Sequence, residues 1–333
     1  MTVNTKKLIK NAYRVTRDRG ITALRIRVPG GHLAVEYLGI IKEVAEKYGN
    51  GTVHITTRQG FEVPGIAMEN MSEVNQLIEP ILKGLEQAIG VPIANAKAGY
   101  PAAGTRNVSA CIGSRVCPFA NYDTTDLAYK IERTIYPNNY HVKIAASGCP
   151  NDCIKAHMQD FGILGMVEPV YDPNRCVACG ACVENCRKRS SGALKLVNYR
   201  VERDEKQCLG CGECVLTCPN AAWTRGNNFY RLVIMGRTGK KNPRLARTFM
   251  QWIDEAAVLK IIENLYKYAD KYIDRSLPKE HVGYIIDRTG YNVFKEEVLN
   301  DVQLGKEAQA ADFMDFGGYF YNRSHALLNN QKL

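Results

Sequence analysis

Twelve cysteines constrain the fold of this chain more than any other feature of its sequence. All of them lie between residues 111 and 218 of the 333-residue chain. The N-terminus is charged and lacks a signal-peptide apolar core, so we expect a cytoplasmic protein, in which crowded thiols bind metal rather than form disulfides. Twelve is also three sets of four, and four thiolates are what a zinc ion or an iron–sulfur cube takes.

Eight of these cysteines form two copies of the pattern C-x2-C-x2-C-x3-C, in CVACGACVENC and CLGCGECVLTCP. This is the bacterial two-cluster ferredoxin spacing, in which the fourth cysteine of each run binds the other [4Fe–4S] cluster. The first predicted set is Cys176, Cys179, Cys182 and Cys218, and the second is Cys208, Cys211, Cys214 and Cys186. Zinc is the alternative, but zinc ribbons pair C-x2-C hooks across longer gaps.

The remaining cysteines lie in RNVSACIGSRVCPFA (Cys111, Cys117) and SGCPNDC (Cys149, Cys153). Either pair alone is weak evidence, because buried free cysteines are common. Together they make one more set of four thiolates beside two predicted clusters. The count therefore favours a third [4Fe–4S] cluster.

Apolar periodicity predicts an α+β chain with a small α/β unit at its start. We expect helices over 5–17, 33–47 and 71–89, and strands in TALRIRVPGG and in TVHITTRQGFEV, the second ending near Arg58. Leu24, Ile26 and Val28 alternate with Arg25 and Arg27, so a strand would place both arginines on one face.

Further along, we expect a helix over 123–135, strands in HVKIAAS, over 161–168 and in FYRLVIMG, and mostly helix over 244–300. In HVKIAAS, a strand places His141 and Lys143 on one face. VPIANAKAGYPAAG reads as a linker, the cysteine-dense segment 172–226 reads as a loop-like insertion, and the tail from residue 315 has no clear periodicity. The expected domains are 1–92, then 93–171 together with 227–333, and the insertion 172–226.

The net charge of +10 is spread between apolar positions, without a long basic block or a recognisable nucleic-acid module. We therefore expect no nucleic-acid partner, and either a solvated basic surface or an anionic cofactor or substrate. No apolar run approaches the roughly 20 residues that a membrane span needs.

Four motifs, LRIRVPGG, TTRQGFE, the C-x5-C pair and SGCPNDC, occur in an order that resembles the siroheme-containing sulfite and nitrite reductases. The resemblance covers roughly residues 20–300. It implies a siroheme reductase half-unit: a ferredoxin-like N-terminal domain and an α/β siroheme domain, with a two-cluster ferredoxin domain inserted. It further implies that Cys111, Cys117, Cys149 and Cys153 hold a [4Fe–4S] cluster, and that the sulfur of Cys153 also binds the siroheme iron.

The same resemblance assigns basic residues to two tasks. Arg25, Arg106 and Lys143 match cations that hold sulfite, and His141 stands where the family usually has a second lysine. His141 is then a proton donor, a weaker anion ligand or a packing residue. Siroheme carboxylates need cationic partners, for which the matching residues are Arg27, Arg58, and Lys240 and Arg244 in GRTGKKNPR. An ordinary basic turn is the alternative for that last stretch.

The implied activity is the six-electron reduction of sulfite to sulfide. Nitrite reduction to ammonia and an electron carrier without siroheme are the alternatives. No G-x-G-x-x-G motif follows a predicted strand, so NADH oxidation and any flavin belong to iron–sulfur and flavin partner subunits. Lys143 lies only ten residues before Cys153, yet sulfite binds the siroheme face opposite that cysteine. In relatives these groups come from two halves or subunits, so we expect a homodimer whose protomers exchange them.

Overall fold

Two β-sheets and a cysteine-rich insertion make up the part of the chain that the computed structural model describes, residues 12–91, 107–136, 140–239, 243–276 and 280–314. The first sheet and its helices are β1 (Tyr13–Val15), β2 (Ile21–Ile26), α1 (Tyr37–Lys47), β3 (His54–Ile55), β4 (Phe61–Ala67) and α2 (Met71–Ile89). The strands are antiparallel in the order β1-β2-β4-β3. Leu24, Ile26 and Val63 pack beneath the apolar faces of α1 and α2.

Two of the sequence predictions for this first unit are wrong. The helix over 5–17 is contradicted by β1, because Tyr13 pairs with Leu24 and is buried in the sheet core; residues 5–11 lie outside the described part of the chain. TVHITTRQGFEV is a hairpin rather than one strand, since Thr56 N donates to Gly60 O (2.8 Å) and Gln59 adopts φ 64° in the turn. The helices predicted over 33–47 and 71–89 are confirmed, the first from Tyr37 onward.

The second sheet carries the larger core. Its elements are β5 (Ser109–Ala110), α3 (Thr124–Ile135), β6 (Ile144–Ser147), β7 (Phe161–Tyr171), β10 (Trp223–Ile234), β11 (Arg247–Ile253), α6 (Glu255–Tyr272), α7 (Val282–Thr289), α8 (Tyr291–Leu299) and β12 (Gln309–Ala310). The order is β12-β11-β10-β7-β6-β5, parallel between β5, β6 and β7 and antiparallel elsewhere. Ile163 and Leu232 pack on one face against Leu127 of α3 and Ile261 of α6.

Two expectations fail in this second sheet. Residues 247–253 are strand rather than helix, because β11 pairs with β10 and buries Phe249 and Met250. His141 and Lys143 precede β6, so strand alternation does not govern them: the backbone N–H of Lys143 donates to the Asp160 carboxylate instead. The helix over 123–135 and the strands at 161–168 and in FYRLVIMG are confirmed. The linker over 92–104 and the tail from 315 lie outside the described residues.

The cysteine-rich segment joins two neighbouring antiparallel strands of this sheet. It holds α4 (Ala181–Arg189), a hairpin of β8 (Leu194–Val197) and β9 (Arg200–Arg203), and α5 (Glu213–Thr217). β7 and β10 remain paired up to Tyr171 and Trp223, so the segment leaves and re-enters the sheet at adjacent points. It is thus more regular than the loop that the sequence indicated.

None of the helices among the described residues is long and apolar enough to cross a membrane.

Candidate active site

The cysteines outside the ferredoxin-type runs meet where two parallel strands end. Cys111 follows β5 directly and Cys149 lies two residues after β6. Parallel neighbours end at the same edge of a sheet, and Gly148 N donates to Cys111 Sγ (3.1 Å) across that edge. A side chain at Gly148 would lie 2.6 Å from Ala120 Cβ, so only glycine allows this close approach.

All four of these thiols share one electrostatic environment. The pKa of Cys149 is raised by burial, and also by the neighbouring Cys117, Cys111 and Cys153. Cys149 is buried, whereas Cys153 is exposed. This donor set fits the predicted cube, and the exposure of Cys153 leaves that sulfur accessible to a second iron.

Asp152 organises the loop that carries Cys149 and Cys153, a role that the sequence analysis missed. Its carboxylate accepts from Ala156 N (2.6 Å) and His157 N (3.1 Å), and lies 2.7 Å from His157 Nδ1. Although burial acts in the opposite direction, these hydrogen bonds lower the pKa of Asp152. The loop is therefore held by an ionised carboxylate between two candidate cluster ligands.

The eight ferredoxin-type cysteines divide between two pockets as the spacing predicts. One pocket is lined by Cys176, Cys179, Cys182 and Cys218, and the other by Cys186, Cys208, Cys211 and Cys214. Among the described residues, no three His, Cys, Asp or Glu side chains converge on a single ion. A cube does not require such convergence, because each cysteine binds a different iron.

Backbone N–H groups near two of these sulfurs stabilise them as thiolates. Ala222 N donates to Cys218 Sγ (3.2 Å) and Ala178 N to Cys176 Sγ (3.4 Å). Although burial acts in the opposite direction, backbone N–H donors lower the pKa of Cys218. Ser191 Oγ is buried without a hydrogen-bond partner among the described residues and lines the second pocket. The donors, the pockets and this hydroxyl fit two clusters.

A third pocket lies between the cysteine sets. Cys149 borders it on one side, and Cys211 and Ser190 border it on the other. Ser190 Oγ lies 3.3 Å from Cys211 Sγ. The second ferredoxin-type set is therefore the one that adjoins the strand-end cysteines.

Arg25 and Arg27, predicted to bind sulfite and siroheme respectively, both contact carboxylates. Arg25 pairs with Glu62 on β4, which Arg14 also contacts at 2.9 Å. Arg27 lies 3.3 Å from Glu132, whose side chain is 1% exposed. These contacts hold the two guanidinium groups at defined positions, and their roles toward ligands remain predictions.

Arg58 and Arg244 also make contacts within this chain. Arg58 donates to Gln159 Oε1 (2.7 Å), Ile144 O (3.1 Å) and Asn107 O, which ties the first unit to the second sheet. Arg244 is 5% exposed and pairs with Asp287 at 2.9 Å. These contacts favour a structural role for Arg244, and siroheme binding by either residue remains a prediction. Arg106 and Lys240 lie outside the described residues.

A buried Asp–His pair, also missed from the sequence, supports His141 and Lys143. Asp160 and His281 are 1% and 2% exposed, and His281 Nδ1 lies 3.1 Å from both Asp160 carboxylate oxygens. Asp160 accepts from Lys143 N (2.9 Å), and the rings of His141 and His281 are 5.8 Å apart. Lys143 Nζ donates to Thr238 O (3.1 Å), so the lysine reaches the loop that begins GRTGKK.

We expect Asp160→Ala to lower the thermal midpoint of unfolding by roughly 4–8 °C, because Lys143 N and His281 Nδ1 lose their acceptor. Differential scanning fluorimetry of the purified protein measures this. Glu46→Ala is the control, because the Glu46 side chain is 63% exposed and its carboxylate lies 3.9 Å from Lys42 Nζ. Such an exposed ion pair contributes little to the free energy of unfolding. Equal midpoints for the two variants would contradict a supporting role for Asp160.

Comparison with known proteins agrees with this arrangement. The family described as the nitrite and sulphite reductase 4Fe-4S domain matches residues 102–307, a span that contains all twelve cysteines. The nitrite/sulfite reductase ferredoxin-like half domain matches residues 14–81, which is most of the first unit.

This chain belongs to the nitrite and sulphite reductase family.

Individual relatives are consistent with that membership. The chain is 42% identical over 309 residues to one of the subunits of the anaerobic sulfite reductase of Salmonella typhimurium, covering 92% of each chain. It is 31% identical to the coenzyme F420-dependent sulfite reductase of Methanocaldococcus jannaschii, over 85% of this chain and 43% of that one. The solved structure of dissimilatory sulfite reductase I matches with a TM-score of 0.63 at 18% identity, covering 90% of this chain and 73% of that chain. The match to this solved structure shows a similarity of fold alone. It confirms the predicted α+β siroheme-reductase fold.

Proposed function

We propose that this chain is the catalytic subunit of a sulfite reductase and reduces sulfite to sulfide at a siroheme coupled to a [4Fe–4S] cluster. The observation that carries the proposal is the set of Cys111, Cys117, Cys149 and Cys153 at one sheet edge, in a chain 42% identical over 92% of its length to part of an anaerobic sulfite reductase. Siroheme and its cluster would supply the site at which sulfite binds and receives electrons one at a time. Cys153 is the residue of this chain best suited to join the two groups, because its thiol is exposed beside the other three.

Positively charged side chains at fixed positions would bind the substrate and stabilise its charge during reduction. Sulfite is a small dianion, and positive side chains both hold it and stabilise the negative charge that accumulates as electrons arrive. Lys143 supports this role, because its backbone is anchored by Asp160 and its ammonium group by Thr238. Arg25, Arg106 and His141 complete the proposed anion site, with His141 as a candidate proton donor.

In the proposed electron route, electrons pass from the first ferredoxin-type set to the second, and then to the set that contains Cys149. The segment 172–226 acts as an inserted two-cluster ferredoxin domain between residues 93–171 and 227–333, with 1–92 as the N-terminal domain. Its second cysteine set adjoins Cys149 through the shared pocket, which supports that set as the final donor. The first set would then accept electrons from iron–sulfur and flavin partner subunits, in line with the Salmonella relative, whose name makes it one subunit of a larger enzyme.

Sharing of sites between two copies of the chain is supported by the length of β6. Lys143 directly precedes this four-residue strand and Cys149 lies two residues after it, so the strand, roughly 13 Å long, separates the two groups. The two groups therefore lie at opposite ends of one strand, which favours their serving different siroheme groups. We therefore propose a homodimer in which the cations of one protomer face the siroheme held by its partner.

A visible spectrum and an iron count test the proposed function. We expect siroheme bands and about thirteen irons per chain, from three cubes and one siroheme. If the protein carries its full complement of iron–sulfur clusters but its spectrum shows only an iron–sulfur shoulder without siroheme bands, the chain is an electron carrier and not a catalytic subunit. With a chemical reductant, we expect kcat/KM to be higher for sulfite than for nitrite; the reverse order would make the chain a nitrite reductase, the other activity in the family's description.

A further inference from the structure

One face of the second sheet carries the loop that holds Cys208 and Cys211. Val167 N donates to Gly210 O (2.8 Å), and a side chain at Gly210 would lie 2.9 Å from Met166 Cβ, so the loop lies directly on β7. Met166 pairs with Phe229 on β10, and Leu164 pairs with Arg231. Alternate residues of a strand share a face, so Arg231 projects from the same side as Met166, toward the cysteine loop.

The guanidinium group of Arg231 interacts electrostatically with the thiols of Cys208 and Cys211. Burial lowers the pKa of Arg231, whereas Cys208 and Cys211 act to raise it. Its Nε is buried and has no hydrogen-bond partner among the described residues. A guanidinium keeps its proton at neutral pH, so a fixed positive charge stands beside two candidate ligands of the second cluster.

A positive charge beside a thiolate-bound cluster favours reduction of that cluster. Adding an electron to a thiolate-bound cluster makes it more negative, and a nearby cation stabilises the reduced form most strongly where water does not screen it. The Ser190 hydroxyl at 3.3 Å from Cys211 Sγ acts in the same direction, because it can donate to a thiolate. The basic residue at the first pocket, Arg175, is exposed and therefore screened.

We propose that Arg231 raises the reduction potential of the cluster bound by Cys186, Cys208, Cys211 and Cys214, and so makes it the electron acceptor for the cluster of the first set. This inference rests on the proposed function. Each transfer oxidises the first cluster by one electron and reduces the second by one, without making or breaking a bond or moving a proton. The electrons come from the reduced iron–sulfur or flavin partner, and the acceptor set adjoins Cys149.

A redox titration of the holoprotein followed by electron paramagnetic resonance tests the inference. We expect Arg231→Gln to lower one ferredoxin-type midpoint potential by at least about 59 mV, a tenfold change in a one-electron equilibrium, and to leave the other unchanged. Arg231→Lys keeps the charge and should stay near the wild-type value. Arg175→Gln is the control at the first pocket and should shift neither midpoint appreciably.

Arg231→Met removes the same charge and keeps the test decisive if Arg231→Gln does not assemble its clusters. Ser190→Ala removes the hydroxyl beside Cys211 Sγ and should lower the same midpoint by a smaller amount. The inference is overturned if an Arg231 variant that lacks the charge assembles its clusters and moves neither midpoint, or if Arg175→Gln moves one as far as Arg231→Gln. These potentials do not depend on sulfite turnover. Unmoved midpoints in a protein with siroheme bands would overturn the role of Arg231 alone, whereas absent siroheme bands would overturn the proposed function.

Discussion

Cys153→Ser should abolish the siroheme absorption bands and reduce sulfite turnover by more than about 100-fold, since even residues that only orient metal ligands commonly contribute 10–100-fold. A serine hydroxyl is a hard, weakly acidic ligand and replaces the soft thiolate poorly. Because Cys153 is exposed beside Cys149, the substitution removes the proposed link to siroheme without emptying the core. The measurements are the visible spectrum, the iron content and turnover with a chemical reductant.

Cys179→Ser is the matched control. Cys179 is also exposed, but it lines the pocket of the first ferredoxin-type set. We expect this variant to keep its siroheme bands and its spectral response to sulfite while it loses one ferredoxin-type signal. If Cys153→Ser kept normal siroheme bands, the assignment of the bridging sulfur would be wrong.

Cysteine spacing predicted which ferredoxin-type cysteines lie together better than periodicity predicted the fold. The crossed partition of the two ferredoxin-type runs follows from short loops that wrap a cube, and the pockets reproduce it. The long amphipathic helix at Met71–Ile89 was equally predictable, because its apolar stripe covers the sheet core. In both cases the decisive information lies within a few neighbouring residues.

Features that depend on distant partners were not predictable. The turn at Gln59 lacks glycine at its positive φ, and Gln59 is held by Ala110, which donates to its Oε1 (2.7 Å) and accepts from its Nε2 (2.6 Å). Pairing with β2 overrides the helical pattern at Tyr13 in the same way. Asp160, His281 and Arg231 stand apart from any motif. Only the folded sheet brings Asp160 and His281 to the proposed anion site and Arg231 close to Cys208 and Cys211.

Heterodimers of Lys143→Ala and Cys153→Ser chains should recover about half of the wild-type turnover, if two protomers exchange their site residues. In such a dimer, one site receives Lys143 and Cys153 from the intact halves of the two chains, and the other site receives both defects. Without exchange, every site contains one defect and the mixture stays inactive. Two different affinity tags and tandem purification isolate the heterodimer, and sulfite turnover with a chemical reductant measures it.

A second heterodimer, of Cys149→Ser and Cys153→Ser chains, provides the control. Both substitutions lie in the same cysteine set, so no combination of protomers restores a complete set and turnover should stay at the level of the parents. Each parent must first form dimers with its ferredoxin-type clusters in place, so that a negative result is informative. Inactive Lys143→Ala/Cys153→Ser heterodimers would then confine each site to one chain. A substrate role for Lys143 would then require it to reach the siroheme held by Cys153 of its own chain from the opposite end of β6.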